Sequence, residues 1–116
     1  MNVEELRDYC ISKPCVTESF PFDQTTLVFK VGQKVFALTS LERQPTAVNL
    51  KCDPEKALDL REQYPSILPG YHMNKRHWNT IQFIVLPNDL VKQLIDYSYE
   101  LVFQKMSSKA RTQLGL

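Results

Sequence analysis

Several things that would fix a function are missing from this 116-residue chain. Low-complexity tracts, internal repeats and long charge runs are absent, so no solenoid is indicated. The longest apolar runs fall well short of the roughly 20 residues a membrane span needs. The opening Met1-Asn2-Val3-Glu4-Glu5 shows no basic segment followed by an apolar one, which predicts no secretory signal and a cytoplasmic protein with no membrane partner. Cys10, Cys15 and Cys52 cannot all pair with one another, and their spacing matches no zinc pattern. Free reduced thiols are expected. There is no Gly-rich phosphate loop and no nucleophile elbow. A net charge of +1 argues against a protein that coats nucleic acid indiscriminately.

What is there is an ordinary apolar and charged content for a single domain with one modest core. Charge is unevenly spread: residues 1–63 carry ten acids and eight bases, residues 64–116 three acids and six bases. No acidic residue lies between Tyr64 and Asn88. Inside that gap stands Pro69-Gly70-Tyr71-His72-Met73-Asn74-Lys75-Arg76-His77-Trp78-Asn79-Thr80, with both histidines and the only tryptophan. The run is too polar for a core strand and too aromatic for a plain solvated loop. It reads as a contact surface.

Around it the chain predicts a regular frame. Asn2 with Glu5 forms a capping box for a helix over residues 3–12, which Pro14 ends. Residues 17–22 read as a loop or irregular edge piece, with Phe20 and Phe22 plugging the end of the core. Gly32-Gln33 is a hairpin turn within residues 26–40. Extrapolated from that turn, Phe29 faces Phe36 and Leu27 faces Leu38 on the core side, leaving Val28, Lys30, Val35 and Ala37 half-exposed. A third strand covers Thr46–Lys51. Asp53-Pro54 opens a second helix running to about Gln63. A short strand near Gly70–Met73 and an alternating one over Thr80–Val85 follow. Residues 89–105 form the longest helix, and residues 107–116 a frayed tail. One antiparallel sheet under one-sided helices means an α+β two-layer sandwich.

The segment Tyr71–Thr80, the hairpin Phe29–Ala37, the Asp53-Pro54 helix start and Asp96–Val102 together resemble the MmcQ/YjbR family over nearly the whole chain. That resemblance implies a bacterial cytoplasmic protein with an α-β(3)-α-β(2)-α fold, similar to type III secretion chaperones and described as CyaY-like. It also implies DNA binding in a "double wing" mode, two loops gripping a duplex. On these residues Lys75 and Arg76 would contact phosphates, and Asn74 and Asn79 base edges or sugars. Tyr71, His77 and Trp78 would stack on an unpaired base or brace the loop, and His72 belongs to the same nucleic-acid-binding set. The second wing would be the Gly32-Gln33 turn with Lys30 and Lys34, and Lys105, Lys109 and Arg111 would extend the footprint. Few cations take part, so binding should be modest and salt-sensitive.

Plainer readings stand beside these. Lys75-Arg76 also reads as a solvated turn, Trp78 as a packing anchor, and the histidines as caps on loop carbonyls. A protein-interaction or chaperone-like module, or a homodimer formed through residues such as Val28 and Val35, is the alternative to nucleic-acid binding. Two histidines five apart make no ready chelate and have no carboxylate near in sequence. The expectation is therefore a non-enzymatic protein with no catalytic residues, metal or cofactor.

Overall fold

The computed structural model describes residues 1–115. Its first helix, α1 (Val3–Ile11), begins as its local chemistry dictates. Glu5 N–H donates to Asn2 Oδ1 (2.8 Å), and Asn2 N–H donates to Glu5 Oε1 (3.1 Å). The inward face of α1 is Leu6 and Cys10, both fully buried. The chain then forms β1 (Val16–Ser19), which pairs with β2 (Thr26–Val31) at the sheet edge. Phe20 and Phe22 do not plug the core: they are 46 % and 71 % exposed. The reason is Asp23, whose carboxylate accepts the amides of Thr25 and Thr26 and turns the chain outside the sheet.

Gly32 takes a left-handed φ of +61° at the turn between β2 and β3 (Lys34–Ser40), as the Gly-Gln pair predicts. Val31 opposes Lys34, but a bulge then shifts the register, so that Phe29 opposes Ala37 and Val28 opposes Leu38. Phe29 and Leu27 stay in the core, joined by Phe36 and Ala37, and Leu38 moves to the opposite face. Val28 and Ala37, expected half-exposed, are fully buried. The shift has a tertiary partner. Ser98 of the long helix donates its hydroxyl to Phe36 O (2.6 Å) and accepts Lys51 N–H (2.9 Å), bridging two strands that no longer pair directly there.

The remaining strands are β4 (Val48–Lys51), β5 (Ile67–Pro69) and β6 (Trp78–Ile81), with α2 (Pro54–Gln63) between β4 and β5. Asp53 caps α2 and Pro54 follows at its first position. The sheet is fully antiparallel in the order β1-β2-β3-β4-β6-β5. β5 lies earlier than the expected Gly70–Met73, and β6 ends sooner than the expected Thr80–Val85. After Ile81 the chain leaves the ladder: Gln82 N–H reaches Ser66 O, and Phe83–Val85 form a 3-10 turn that buries Phe83 and exposes Ile84 and Val85. Alternating apolar residues alone cannot distinguish that turn from more strand.

The helix α3 (Asn88–Gln104) lies over the middle strands, its Tyr99 ring set edge-on to Phe36 at 5.4 Å between centroids. α1, α2 and α3 bury one continuous core against a single face of the sheet, with Phe29, Phe36, Phe83, Leu50, Ile81 and Ile95 fully enclosed. Each such side chain contributes about 1.5–3 kcal/mol of burial. The architecture is the expected α+β two-layer sandwich, with an edge strand and a terminal helix added to the expected order. That helix, α4 (Ser108–Gln113), takes up most of the expected frayed tail 107–116, of which Leu116 lies outside the described residues: Ser107 caps it, accepting Ala110 N–H at 3.1 Å. Its flank covers the hairpin turn, where a Cβ on Gly32 would come within 3.1 Å of Met106 Cε and 3.3 Å of Leu114 Cδ1. Among the described residues no helix is long and apolar enough to cross a membrane.

Candidate nucleic-acid interface

Antiparallel pairing settles where the two loops go. β2 ends and β3 begins at the Gly32 turn; β4, antiparallel to β3, finishes at the same end with Lys51; β6 starts there at Trp78, paired with Lys51. The eight-residue loop 70–77 between β5 and β6 therefore leaves the same end of the sheet as the 32–33 turn.

The base of loop 70–77 is tight. Gly70 N–H donates to Trp78 O (2.9 Å), and a Cβ on Gly70 would stand 2.9 Å from both Trp78 Cβ and Trp78 O, so only glycine closes the hairpin here. Within the loop, Asn74 works as an organiser. Its side chain accepts Arg76 N–H (3.0 Å), and its carbonyl accepts the amides of His77 (3.1 Å) and Trp78 (2.9 Å). A clamp comes from outside: Arg61, in the last turn of α2, donates from Nε to Asn79 Oδ1 (2.7 Å) and from Nη2 to Lys75 O. Nothing in the sequence beyond a base near the end of α2 pointed to Arg61.

These contacts sort the expected site residues. Tyr71, His72, Lys75 and Arg76 are exposed, with the Lys75 ammonium 5.2 Å above the Tyr71 ring. Asn74 is exposed, but its side-chain oxygen holds the loop. His77 and Trp78 are half-buried, and His77 O accepts Cys52 N–H (2.7 Å). Asn79 is not available to a base edge. It is 1 % exposed, takes the Arg61 bond and donates Nδ2 to Ala57 O (3.3 Å). It is a strut between β6 and α2. Lys34 is exposed beside the turn, whereas Lys30 lies further along β2, opposite Thr17 and Val35, and is half-buried.

The face of the sheet away from the helices carries a groove of about 450 Å³ lined by His72, Thr26, Leu38, Ser40, Arg43, Ala47 and Asn49. His72 thus sits with an arginine and neutral polar groups, with no carboxylate in the lining to orient it as a base. The two buried thiols are held in the neutral form. Burial pushes Cys10 up to about 12 and Cys52 up to about 11, far from thiolate near neutrality. Exposed cations on a hydrogen-bonded loop can hold phosphate oxygens, and an exposed tyrosine can offer a stacking face.

A family model described as YjbR matches residues 11–101. The Escherichia coli K12 protein YjbR is 33 % identical over 115 residues, covering 98 % of both chains. The Escherichia coli O157:H7 protein YbdF is 38 % identical over 111 residues, covering 91 % of this chain and 88 % of that one. Among solved structures, the Deinococcus radiodurans protein DR2400, described by the family-model domain DUF419, superposes with a TM-score of 0.90 at 43 % identity, over 99 % of this chain and 88 % of that one. A Pseudomonas syringae protein superposes at a TM-score of 0.77 and 28 % identity, over 88 % of this chain and 99 % of that one.

Proposed function

The chain belongs to the YjbR family, and on that premise we propose that it is a non-enzymatic nucleic-acid-binding protein. It holds the phosphate backbone of DNA between the 70–77 loop and the 32–33 turn. The observation that supports this reading is the shared exit of the two loops from one end of the sheet, each presenting exposed lysine or arginine. Lys75 and Arg76 supply the charge, Lys34 adds to it from the other loop, and Tyr71 offers a face to an unstacked base. Asn74, Asn79 and Arg61 keep the loop in shape and touch no ligand.

Fluorescence-anisotropy titration of a short duplex against salt tests this. Binding should weaken as salt rises. The double variant Lys75→Ala, Arg76→Ala should weaken it roughly tenfold or more and reduce the salt slope by about two. Absence of binding to duplex and single strand at low salt overturns the proposal.

A second reading rests on the opposite end of the sheet, where Phe20, Phe22 and Leu41 stand 46 %, 71 % and 45 % exposed. Exposed aromatic and aliphatic groups together suit a protein partner. Light scattering would then find self-association or complex formation that salt leaves unchanged.

A further inference from the structure

We infer that Lys34, Lys51 and Lys105 form a pocket for a phosphate group at the splayed end of the sheet, between β3, β4 and the end of α3. The inference goes beyond the loop-based reading: it shares Lys34 with it but needs nothing from residues 70–77.

The fold assembles this pocket from three distant places. Lys34 opens β3, Lys51 closes β4, and Lys105 is the C-cap of α3. Direct pairing of β3 with β4 runs from Thr39↔Val48 to Ala37↔Leu50, and the Ser98 hydroxyl then takes the place of the next bond. The strands part beyond that point and leave a cavity of about 130 Å³. Its described lining is Lys34, Val35, Lys51, Val102 and Lys105: three cations, two aliphatic side chains and no carboxylate. A tetrahedral oxyanion fits, since a water claims only about 30 Å³.

The charge is out of balance. Burial, and then the nearby Lys105 and Lys34 ammonium groups, hold the Lys51 pKa below the usual lysine value. The carbonyl end of α3 offers only about half a negative charge, which three ammonium groups exceed. None of the three takes part in the ion pairs found among the described residues, Arg7–Glu18 and Lys13–Asp96. An oxyanion entering the cavity would receive N–H donors from several sides, and ammonium groups, as compact point charges, make no demand for a planar ligand. A neighbouring groove of about 380 Å³, which also uses Lys34 and Lys105 and runs along Met106, Ala110 and Leu114, has room for the rest of a phosphate-bearing ligand.

The test is an NMR titration of the full chain, with inorganic phosphate in one arm and a short DNA duplex in the other, at matched ionic strength. Phosphate should move the side-chain signals of Lys34, Lys51 and Lys105 together with the Val35 amide. Lys51→Met, and independently Lys105→Met at the exposed helix end, should each weaken phosphate binding roughly tenfold. If the duplex moves the same lysines and phosphate competes with it, the pocket takes a backbone phosphate. If phosphate binds and the duplex leaves these lysines unmoved, the pocket takes a small phosphorylated ligand. Either result supports the pocket, and the second can occur even if the 70–77 loop binds nothing. The inference is overturned if phosphate moves none of the three lysines, or if both variants bind it as the unaltered protein does.

Discussion

Lys13 and Lys51 are both half-buried, and they keep opposite company. Lys13 follows α1, pairs with Asp96 of α3, and lies 5.1 Å from the Tyr9 ring centroid and 5.2 Å from that of Tyr99. Tyr9 also donates its hydroxyl to Asp96 Oδ1 (2.7 Å), and Tyr99 donates to Pro14 O (2.7 Å). Lys13, Tyr9, Asp96 and Tyr99 are all engaged in holding α1 and the residues just after it to α3. Lys51 instead faces Lys34 and Lys105 at the far end of α3. One cation is consumed by the fold. The other has no counter-charge in either ion pair among the described residues and lines a cavity without a carboxylate.

The sharpest way to break this comparison is Asp96→Asn. It leaves the Lys13 ammonium, whose side chain is 16 % exposed, without a counter-charge. A fully buried pair would cost more, but the Asp96 side chain is 45 % exposed, so solvent screening reduces the expected loss to about 1–2 kcal/mol. Urea denaturation reads it directly, and a midpoint equal to that of the unaltered protein would show that the pair holds nothing.

A smaller effect concerns the same junction at high pH. Burial, then the hydrogen bond and charge of Asp96, pushes Tyr9 up to about 12 from the ordinary value of 10.0. The folded state thus favours the neutral phenol. That contribution is complete below pH 10 and is lost as pH rises through about 12. The melting temperature should fall across this window, and Tyr9→Phe should flatten the fall while leaving the part due to Cys10 and Cys52, which begins near pH 9. An unchanged profile in Tyr9→Phe would remove Tyr9 from the account.

The smallest expected effect is the most telling. Lys51→Met without ligand should leave stability within about 0.5 kcal/mol of the unaltered protein, or raise it slightly, because it relieves like-charge repulsion and loses no partner. A loss comparable to that of Asp96→Asn would mean Lys51 is engaged by the fold after all.

The exposure of the 70–77 loop was legible because its signal is compositional. A cationic, aromatic run without carboxylates is expensive to bury, and Tyr71, His72, Lys75 and Arg76 are indeed exposed. Asn79 was misread because its environment comes from α2, where Arg61 and the Ala57 carbonyl draw it inward. Lys51 was overlooked for the same kind of reason: it ends an unremarkable strand, and its neighbours in space are 17 and 54 residues away in the numbering of Lys34 and Lys105. Phe20 and Phe22 looked like core residues by type alone, yet the Asp23 turn carries them outward.

What the amino-acid order determined unaided were the features closed by bonds a few residues long. The Asn2–Glu5 box, the Asp53-Pro54 start and the left-handed Gly32 each satisfy backbone groups or a single φ locally, so no distant partner can veto them. The tertiary structure decided the rest: the register beyond the β2–β3 turn, the end of β6, the ordering of α4 against that turn, and the meeting of three lysines. Each of these depends on which side chain from elsewhere fills a gap, Ser98 between two strands above all. Pairwise packing over that separation leaves no periodic trace along the chain.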